Sequence, residues 1–283
     1  MFAEQLVLAG LLSGAVYGLV GGGFTLVLGV GRIANFAHGA FVAAGLYWAV
    51  FAQDQFGLNP YLALGPGLAF FALIALGTAE LFERRGRRVG EIGELLIGLA
   101  LLLVINGLLE ALYTDNPRTI RDFTLGGVPV FGFTVYGTQI AAAAFAFAVA
   151  AGIYLLIRAS RWGRALRAVA EDPLAAGLHG IRVPAIQRAA VALSIVLAAG
   201  AGIVISPFTT IYPQIGTTFL ITAFAVVIVG GIGNTFGALL AGLGIGVINS
   251  LAGGYLASYW TTLAPLILIL AFILVRREPG VAA

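Results

Sequence analysis

Covalent chemistry has few candidates in this chain. Its histidines are His38 and His179, it has no cysteine, and all fifteen of its basic residues are arginine. Thiol nucleophiles, disulfides, iron–sulfur clusters and structural zinc sites are thereby excluded or starved of ligands. The missing lysine removes the Walker A loop, whose lysine reaches the nucleotide phosphates, so no nucleotide hydrolysis by that route is expected. The sequence shows no clustered carboxylates, no nucleophile set beside a base and no metal-ligand spacing, which argues against a membrane-embedded transferase. The expectation is a chain that is not an enzyme and carries no catalytic residue, metal or cofactor of its own.

The polar groups that remain sit within apolar runs. Asn106 and Glu110 lie one helical turn apart and share a face, while Gln139 and Asn249 stand alone. Polar residues inside a membrane span usually face the bundle interior, which makes Asn106 and Glu110 candidates for a solute pathway. Glu110 is also only a few residues from the end of its run, where it reaches water. Two interruptions have a similar character. Gly29 to Phe41, GVGRIANFAHGAF, breaks one apolar stretch, and Gly230 to Ala238, GGIGNTFGA, breaks another with an asparagine and a phenylalanine before a glycine. Non-helical backbone at membrane depth needs protein or a water-filled cavity around it, and paired interruptions point to a transport pathway. His38 has two readings, a pathway group or a packed or capping imidazole near the cytoplasmic interface. Asn35 is equally placed to line the pathway or to cap the helix that follows.

A third feature is RASRWGRALRAVAEDPLAAGLHGIRVP, Arg158 to Pro184. Asp172 is placed to cap a short helix, Pro173 suits its first turn, and Gly180 can end it in a left-handed conformation. A helix of about two turns cannot hold itself up by local hydrogen bonds, so it needs something to dock on. Leu174, Ala175 and Leu178 offer a knob for a groove on a cytoplasmic partner. The alternative is a simple turn, with the arginines resting on anionic lipid headgroups.

The elements that must position these residues follow from composition. Of 283 residues, 60% are hydrophobic and 10% charged, and the mean hydropathy is +1.04; a soluble domain runs near a quarter charged. So few ionisable groups cannot solvate the outside of a ball this size, and the reading is an all-α, polytopic membrane bundle facing the lipid bilayer. A pI near 9.4 does not indicate nucleic acid here, because the arginines sit between apolar runs and serve orientation. Stretches able to cross roughly 30 Å of hydrocarbon run from Leu6 to Val30, Tyr61 to Phe82, Ile92 to Tyr113 and Val135 to Ile157. Further apolar segments occupy Ala185 to Ser206, Thr217 to Ile232, Ala40 to Ala52, Gly237 to Leu251 and Thr261 to Val275. These make nine crossings, with eight a tolerable count, in a single transmembrane domain over residues 1–283 that contains the loop 158–184.

Orientation comes from the arginines. A cytoplasmic C-terminus and cytoplasmic loops after Phe82 and Ile157 put Arg32, Arg84, Arg85, Arg87, Arg88, Arg158, Arg161, Arg164, Arg167, Arg182, Arg188, Arg276 and Arg277 inside. Arg118 and Arg121 remain outside. Nine crossings then begin from an outside N-terminus, which carries Glu4, has no arginine before Arg32 and lacks the basic region of a cleavable signal peptide. Glu91 and Glu94 open their span at the positive end of a helix and are given no transport role. Small residues recur every fourth position at Gly10, Gly14, Gly18 and Gly22, and at Gly242, Gly246, Ser250 and Gly254. Such ridges admit close helix packing, either as a tight seam that shifts during a cycle or as ordinary membrane packing.

Three segments taken together resemble a known family. NFAHG at Asn35 to Gly39, GRALRAVAEDPLAAGLHGI at Gly163 to Ile181 and AFAVVIVGGIGNTFGALLAGLGIGVINSL at Ala223 to Leu251 are similar to the high-affinity branched-chain amino-acid permeases of bacterial ABC importers. The likeness covers nearly the whole chain and is most specific in the loop. It implies a permease of the bacterial inner membrane, similar in fold to cobalamin-type importers but without their first span. It further implies a second homologous permease, two cytoplasmic subunits that bind ATP and magnesium, and a periplasmic or lipid-anchored amino-acid-binding protein that docks on outer loops such as Thr114 to Phe133 and Pro207 to Gly216. In that family the loop matching Glu171 to Gly180 is the coupling helix. The residues implied to meet the ATPase are therefore Arg164, Glu171, Asp172, Pro173, Leu174, Leu178 and Gly180. The alternatives are a permease for urea or short amides, which shares these motifs, and an ion-coupled secondary transporter, which needs a deep acidic or histidine relay.

Overall fold

The computed structural model describes residues 2–31, 35–86, 89–120, 123, 125–130, 133–256 and 259–275. Arg32, Arg87, Arg88, Arg121, Arg276 and Arg277, used above for orientation, lie outside them. Each apolar segment forms a helix: α1 (Phe2–Leu26), α2 (His38–Phe56), α3 (Pro60–Leu81), α4 (Glu91–Tyr113), α5 (Gly137–Ala159), α8 (Val183–Ile205), α9 (Ile215–Gly230), α10 (Thr235–Tyr255) and α11 (Trp260–Val275). Between α5 and α8 lie two more, α6 (Arg161–Glu171) and α7 (Pro173–Leu178). By length and composition, six of the described helices can cross a membrane, namely α1, α3, α4, α5, α8 and α10 with their flanking turns; α9 and α11 are shorter apolar helices. The chain is a multi-pass helical membrane protein.

Local signals set the helix ends. Gly57, with φ of 62°, closes α2, its N–H and that of Leu58 donating back to the carbonyls of Gln53 and Ala52. Asn59 then caps α3, its Oδ1 accepting from the Leu62 N–H at 2.9 Å, with Pro60 in the first turn. In the loop between α4 and α5 a feature absent from the sequence reading appears: strands β1 (Gly127–Val130) and β2 (Phe133–Tyr136) pair antiparallel, Gly127 opposite Tyr136. Arg118 and Ile211 exchange backbone hydrogen bonds at 2.8 Å, tying this loop to the turn after α8.

Burial separates centre from periphery. In α1 and α8, 72% and 78% of the spanning window is buried, against 17% in α4 and 22% in α5. The core therefore lies where α1, α2, α8 and α9 meet, while α4, α5 and α11 turn leucine, isoleucine and phenylalanine outward to the surface that lipid or another chain covers.

The tightest seam joins α1 to α10. The two glycine ridges read from the sequence face each other: a Cβ added at Gly14 would lie 2.7 Å from the Gly242 carbonyl oxygen, and one at Gly10 2.6 Å from the Val247 Cα. Cβ atoms at Gly242 and Gly246 would collide with the backbone of Gly18 and Gly14 respectively. A side chain at Gly10, Gly14, Gly242 or Gly246 would force these backbones apart, which is why glycine occupies these positions. Ser250 Oγ donates to the Leu6 carbonyl at 2.7 Å across the same seam.

Candidate functional site

The loop after α5 is built from two capped helices. Ser160 Oγ accepts from the Gly163 N–H at 2.8 Å and starts α6, which buries Gly163, Leu166 and Val169 at three-residue spacing and turns its arginines outward. This first helix was not anticipated, although its i, i+3 pattern was present in the sequence. Asp172 ends α6 through its own N–H, which donates to the Ala168 carbonyl at 3.1 Å. It also begins α7: Oδ1 accepts from the N–H groups of Leu174 at 2.8 Å and Ala175 at 3.1 Å, with Pro173 at the first position. Gly180, at φ of 82°, closes the helix, and the Ile181 N–H donates back to the Ala176 carbonyl at 3.1 Å. Only six residues long, α7 buries Ala176 and leaves Leu174 76% and Leu178 83% exposed. Arg164 and Glu171 are exposed on α6. Two large apolar side chains thus point away from the bundle on a helix fixed at both ends.

The two interruptions meet in space. The end of α1 loosens into a π-turn, Val27–Gly31, and the turn between α9 and α10 packs on it, with a Gly29 Cβ falling 2.7 Å from the Gly233 Cα. Thr25 locks the contact, its Oγ1 accepting from the Gly233 N–H at 2.8 Å and donating to the Gly231 carbonyl at 3.3 Å. Gln187 Nε2 donates to the Val30 carbonyl at 3.2 Å, so the start of α8 joins the same junction. Gly231 and Gly233 have φ of 92° and 81°, conformations that glycine alone adopts cheaply.

His38 is not at the interface. It is fully buried, with Nε2 2.9 Å from the Val20 carbonyl and Nδ1 3.0 Å from Ser194 Oγ. A carbonyl accepts only, so Nε2 carries the proton and Nδ1 accepts from the serine hydroxyl. Val20 lies eleven residues before Gly31, roughly 16 Å along the helix axis, so α2 begins deep in the bundle rather than at its surface. Asn35 is buried as well, but its Oδ1 accepts from the Ala37 N–H at 3.1 Å and so shapes the turn before α2 rather than capping the helix. Gly39 touches the Gly216 carbonyl, where α2 crosses the start of α9.

Asn106 and Glu110 are elsewhere. Glu110 is exposed on α4 and accepts from Gln214 Nε2 at 3.2 Å, while the Oδ1 of Asn106 is buried with no hydrogen-bond partner. An apolar cavity of about 510 Å³ lies between α2, α3 and α4, lined by Tyr47, Trp48, Phe70, Ile105, Leu108 and Tyr113 among others, and neither polar residue lines it. Asn35 and His38 therefore form one cluster, and Asn106 with Glu110 another. At the opposite end of α3, Arg188 of α8 ion-pairs with Glu80 at 2.7 Å and Glu83 at 2.5 Å, and Arg84 also meets Glu80. Sequence reasoning passed over Thr25 and Ser194, where a hydroxyl alone in an apolar helix was the available signal, and used Arg188 for orientation alone.

Comparison with known proteins agrees with this architecture. Residues 6–275 match the family model described as branched-chain amino acid transport system / permease component. The chain is 32% identical over 245 residues to the probable branched-chain amino acid transport permease protein LivH of Methanocaldococcus jannaschii, covering 85% of this chain and 78% of that one. It is 33% identical to the BraD permease protein of Pseudomonas aeruginosa over 88% and 85% of the two chains, and 27% identical to LivH of Escherichia coli K12 over 97% and 94%. Among solved structures, a chain of PsaBC from Streptococcus pneumoniae, in complex with Fab, matches with a TM-score of 0.51 over 96% of this chain and 92% of that one, at 15% identity, a likeness of fold. With the family model spanning all but the ends of the sequence, this chain belongs to the permease components of branched-chain amino acid transport systems.

Proposed function

We propose that this chain is one of two membrane subunits of an importer for branched-chain amino acids. ATP is hydrolysed by two separate cytoplasmic subunits, and an external binding protein delivers the solute. The observation that carries the reading is α7, a six-residue helix capped at both ends that presents Leu174 and Leu178 to solvent between two membrane helices. Buried leucine is the rule and a fixed exposed pair is costly unless a partner covers it, so α7 is the seat of an ATP-binding subunit. Motion of that subunit passes to α8, which follows α7 directly, and from α8 to α3 through Arg188 and to α2 through His38 and Ser194. No covalent step occurs in this chain; the solute crosses by alternating access.

Nine crossings with an external N-terminus and a cytoplasmic C-terminus fit this scheme. In support, the contacts sort helix ends into two sets: Leu6 with Ser250 and Glu110 with Gln214 on one side, Val30 with Gln187 and Thr25 with Gly233 on the other. The relatives named for branched-chain amino acids favour these solutes over urea or short amides. The test is uptake by the complete importer in proteoliposomes. Replacing Asp172 and Leu174 together is expected to abolish ATP-driven leucine uptake while insertion and pairing with the second permease persist; undiminished uptake refutes the assignment of α7, and uptake of urea with none of leucine refutes the solute class.

A further inference from the structure

A groove runs along the outside of the bundle between α5 and α10. Its apolar part, about 710 Å³, is walled by Phe147, Ala151 and Tyr154 of α5 and by Phe236 and Leu239 of α10. It adjoins a second cavity of about 510 Å³, the two sharing Tyr154, Thr235 and Phe236 in their walls, and the second carries Arg158 and Arg167 beside Asn234. From Phe147 to Arg158 is eleven residues, roughly 16 Å of helix axis, about half the thickness of the hydrocarbon core. The groove is therefore one leaflet deep, apolar along its length and cationic at its mouth.

The charge at the mouth is not neutralised from within. Among the described residues neither arginine meets a carboxylate, and none lines either cavity. Arg158 donates to the Tyr154 hydroxyl at 2.6 Å and Arg167 to the Ile157 carbonyl, contacts that hold the guanidinium groups in place and leave most of their five N–H donors free. The start of α10, capped where Asn234 Oδ1 accepts from the Gly237 N–H, adds the positive end of a helix dipole. Orientation by positive charge alone is satisfied by arginines anywhere in the loop; it does not require two of them to converge on the mouth of an apolar slot.

We propose that this groove is a binding site for a phospholipid with an anionic headgroup, its phosphate on Arg158 and Arg167 and an acyl chain lying between α5 and α10. A basic pocket between membrane helices at the level of the headgroups has the chemistry for such a lipid. A free phosphate fills the mouth and leaves the apolar walls uncovered, with Phe147 42% and Phe236 56% exposed. Because Arg167 belongs to α6 and Arg158 to α5, the bound lipid clamps the helix that leads into α7 against the bundle. Which leaflet supplies it rests on the orientation proposed above; the site itself does not.

The test is native mass spectrometry of the full chain, purified with its permease partner, after addition of dioleoyl phosphatidylglycerol, dioleoyl phosphatidylcholine or inorganic phosphate. The expected result is one phosphatidylglycerol held per chain in preference to phosphatidylcholine, with no competition from millimolar phosphate. Arg158→Gln with Arg167→Gln weakens retention about thirtyfold, roughly fivefold for each charge. Ala151→Trp, which fills the slot and leaves the arginines, also removes the lipid and guards against misfolding of the double variant. Equal retention of the two lipids, displacement by phosphate, retention unchanged in these variants, or a crosslink from position 236 to the second permease, which would occupy the groove in place of lipid, overturns the proposal.

Discussion

Removing one carboxylate should loosen the grip of the ATP-binding subunit by a calculable amount. In Asp172→Ala the N–H groups of Leu174 and Ala175, held now at 2.8 and 3.1 Å, lose their acceptor. A side-chain cap is worth typically about 1 kcal/mol, and α7, with six residues, has too few internal hydrogen bonds to compensate. The equilibrium between formed and frayed helix then falls about fivefold. Since only the formed helix presents Leu174 and Leu178 together, the dissociation constant of the purified ATP-binding subunit for the permease pair in nanodiscs rises by up to the same factor. Asp172→Asn keeps an oxygen in the same place and should bind as the natural chain does, because asparagine caps as well as aspartate. Gly180→Ala attacks the other end, where φ of 82° costs a residue with a side chain about 1–2 kcal/mol, and should weaken binding at least as much. If Asp172→Asn is as weak as Asp172→Ala, the charge and not the cap is what matters, and the reasoning fails. If neither differs from the natural chain, α7 is not the contact.

The glycine seam makes a prediction of opposite signs on one helix pair. Gly242→Leu drives a side chain into the Gly18 backbone and should cost about 3 kcal/mol, whereas Gly22→Ala meets nothing within 4 Å and should be neutral or stabilising; thermal unfolding in detergent reads both. At the junction of the two interruptions, Thr25→Val leaves the Gly233 N–H without its acceptor and should destabilise by about 1–3 kcal/mol, while Thr25→Ser restores the natural midpoint in the same denaturation assay. A double-mutant cycle of His38→Leu with Ser194→Ala should give a coupling of about 1 kcal/mol, the signature of the 3.0 Å bond between them; additive effects would show that the two residues act separately.

Much of this protein is written locally in its sequence. A membrane helix needs only a long enough apolar run, because its backbone groups satisfy one another within the segment, and all nine runs became helices. The cap at Asp172, the first-turn Pro173 and the left-handed Gly180 are likewise decided within a few residues, so α7 could be read before any fold was known. What the sequence left open are relations between distant segments. It supplied two glycine ridges but not that they face each other across α1 and α10, more than two hundred residues apart. It marked two interruptions but not that Thr25 pins one to the other, and it set His38 near a surface when the fold carries it to the depth of Val20 and Ser194. In lipid, one apolar face is nearly as well solvated as another, so helix neighbours are chosen by fit between backbones and by a few buried polar bonds. That choice depends on shapes that exist only once the helices have met, and it alone decided where the polar clusters, the apolar cavity and the arginine-tipped groove came to lie.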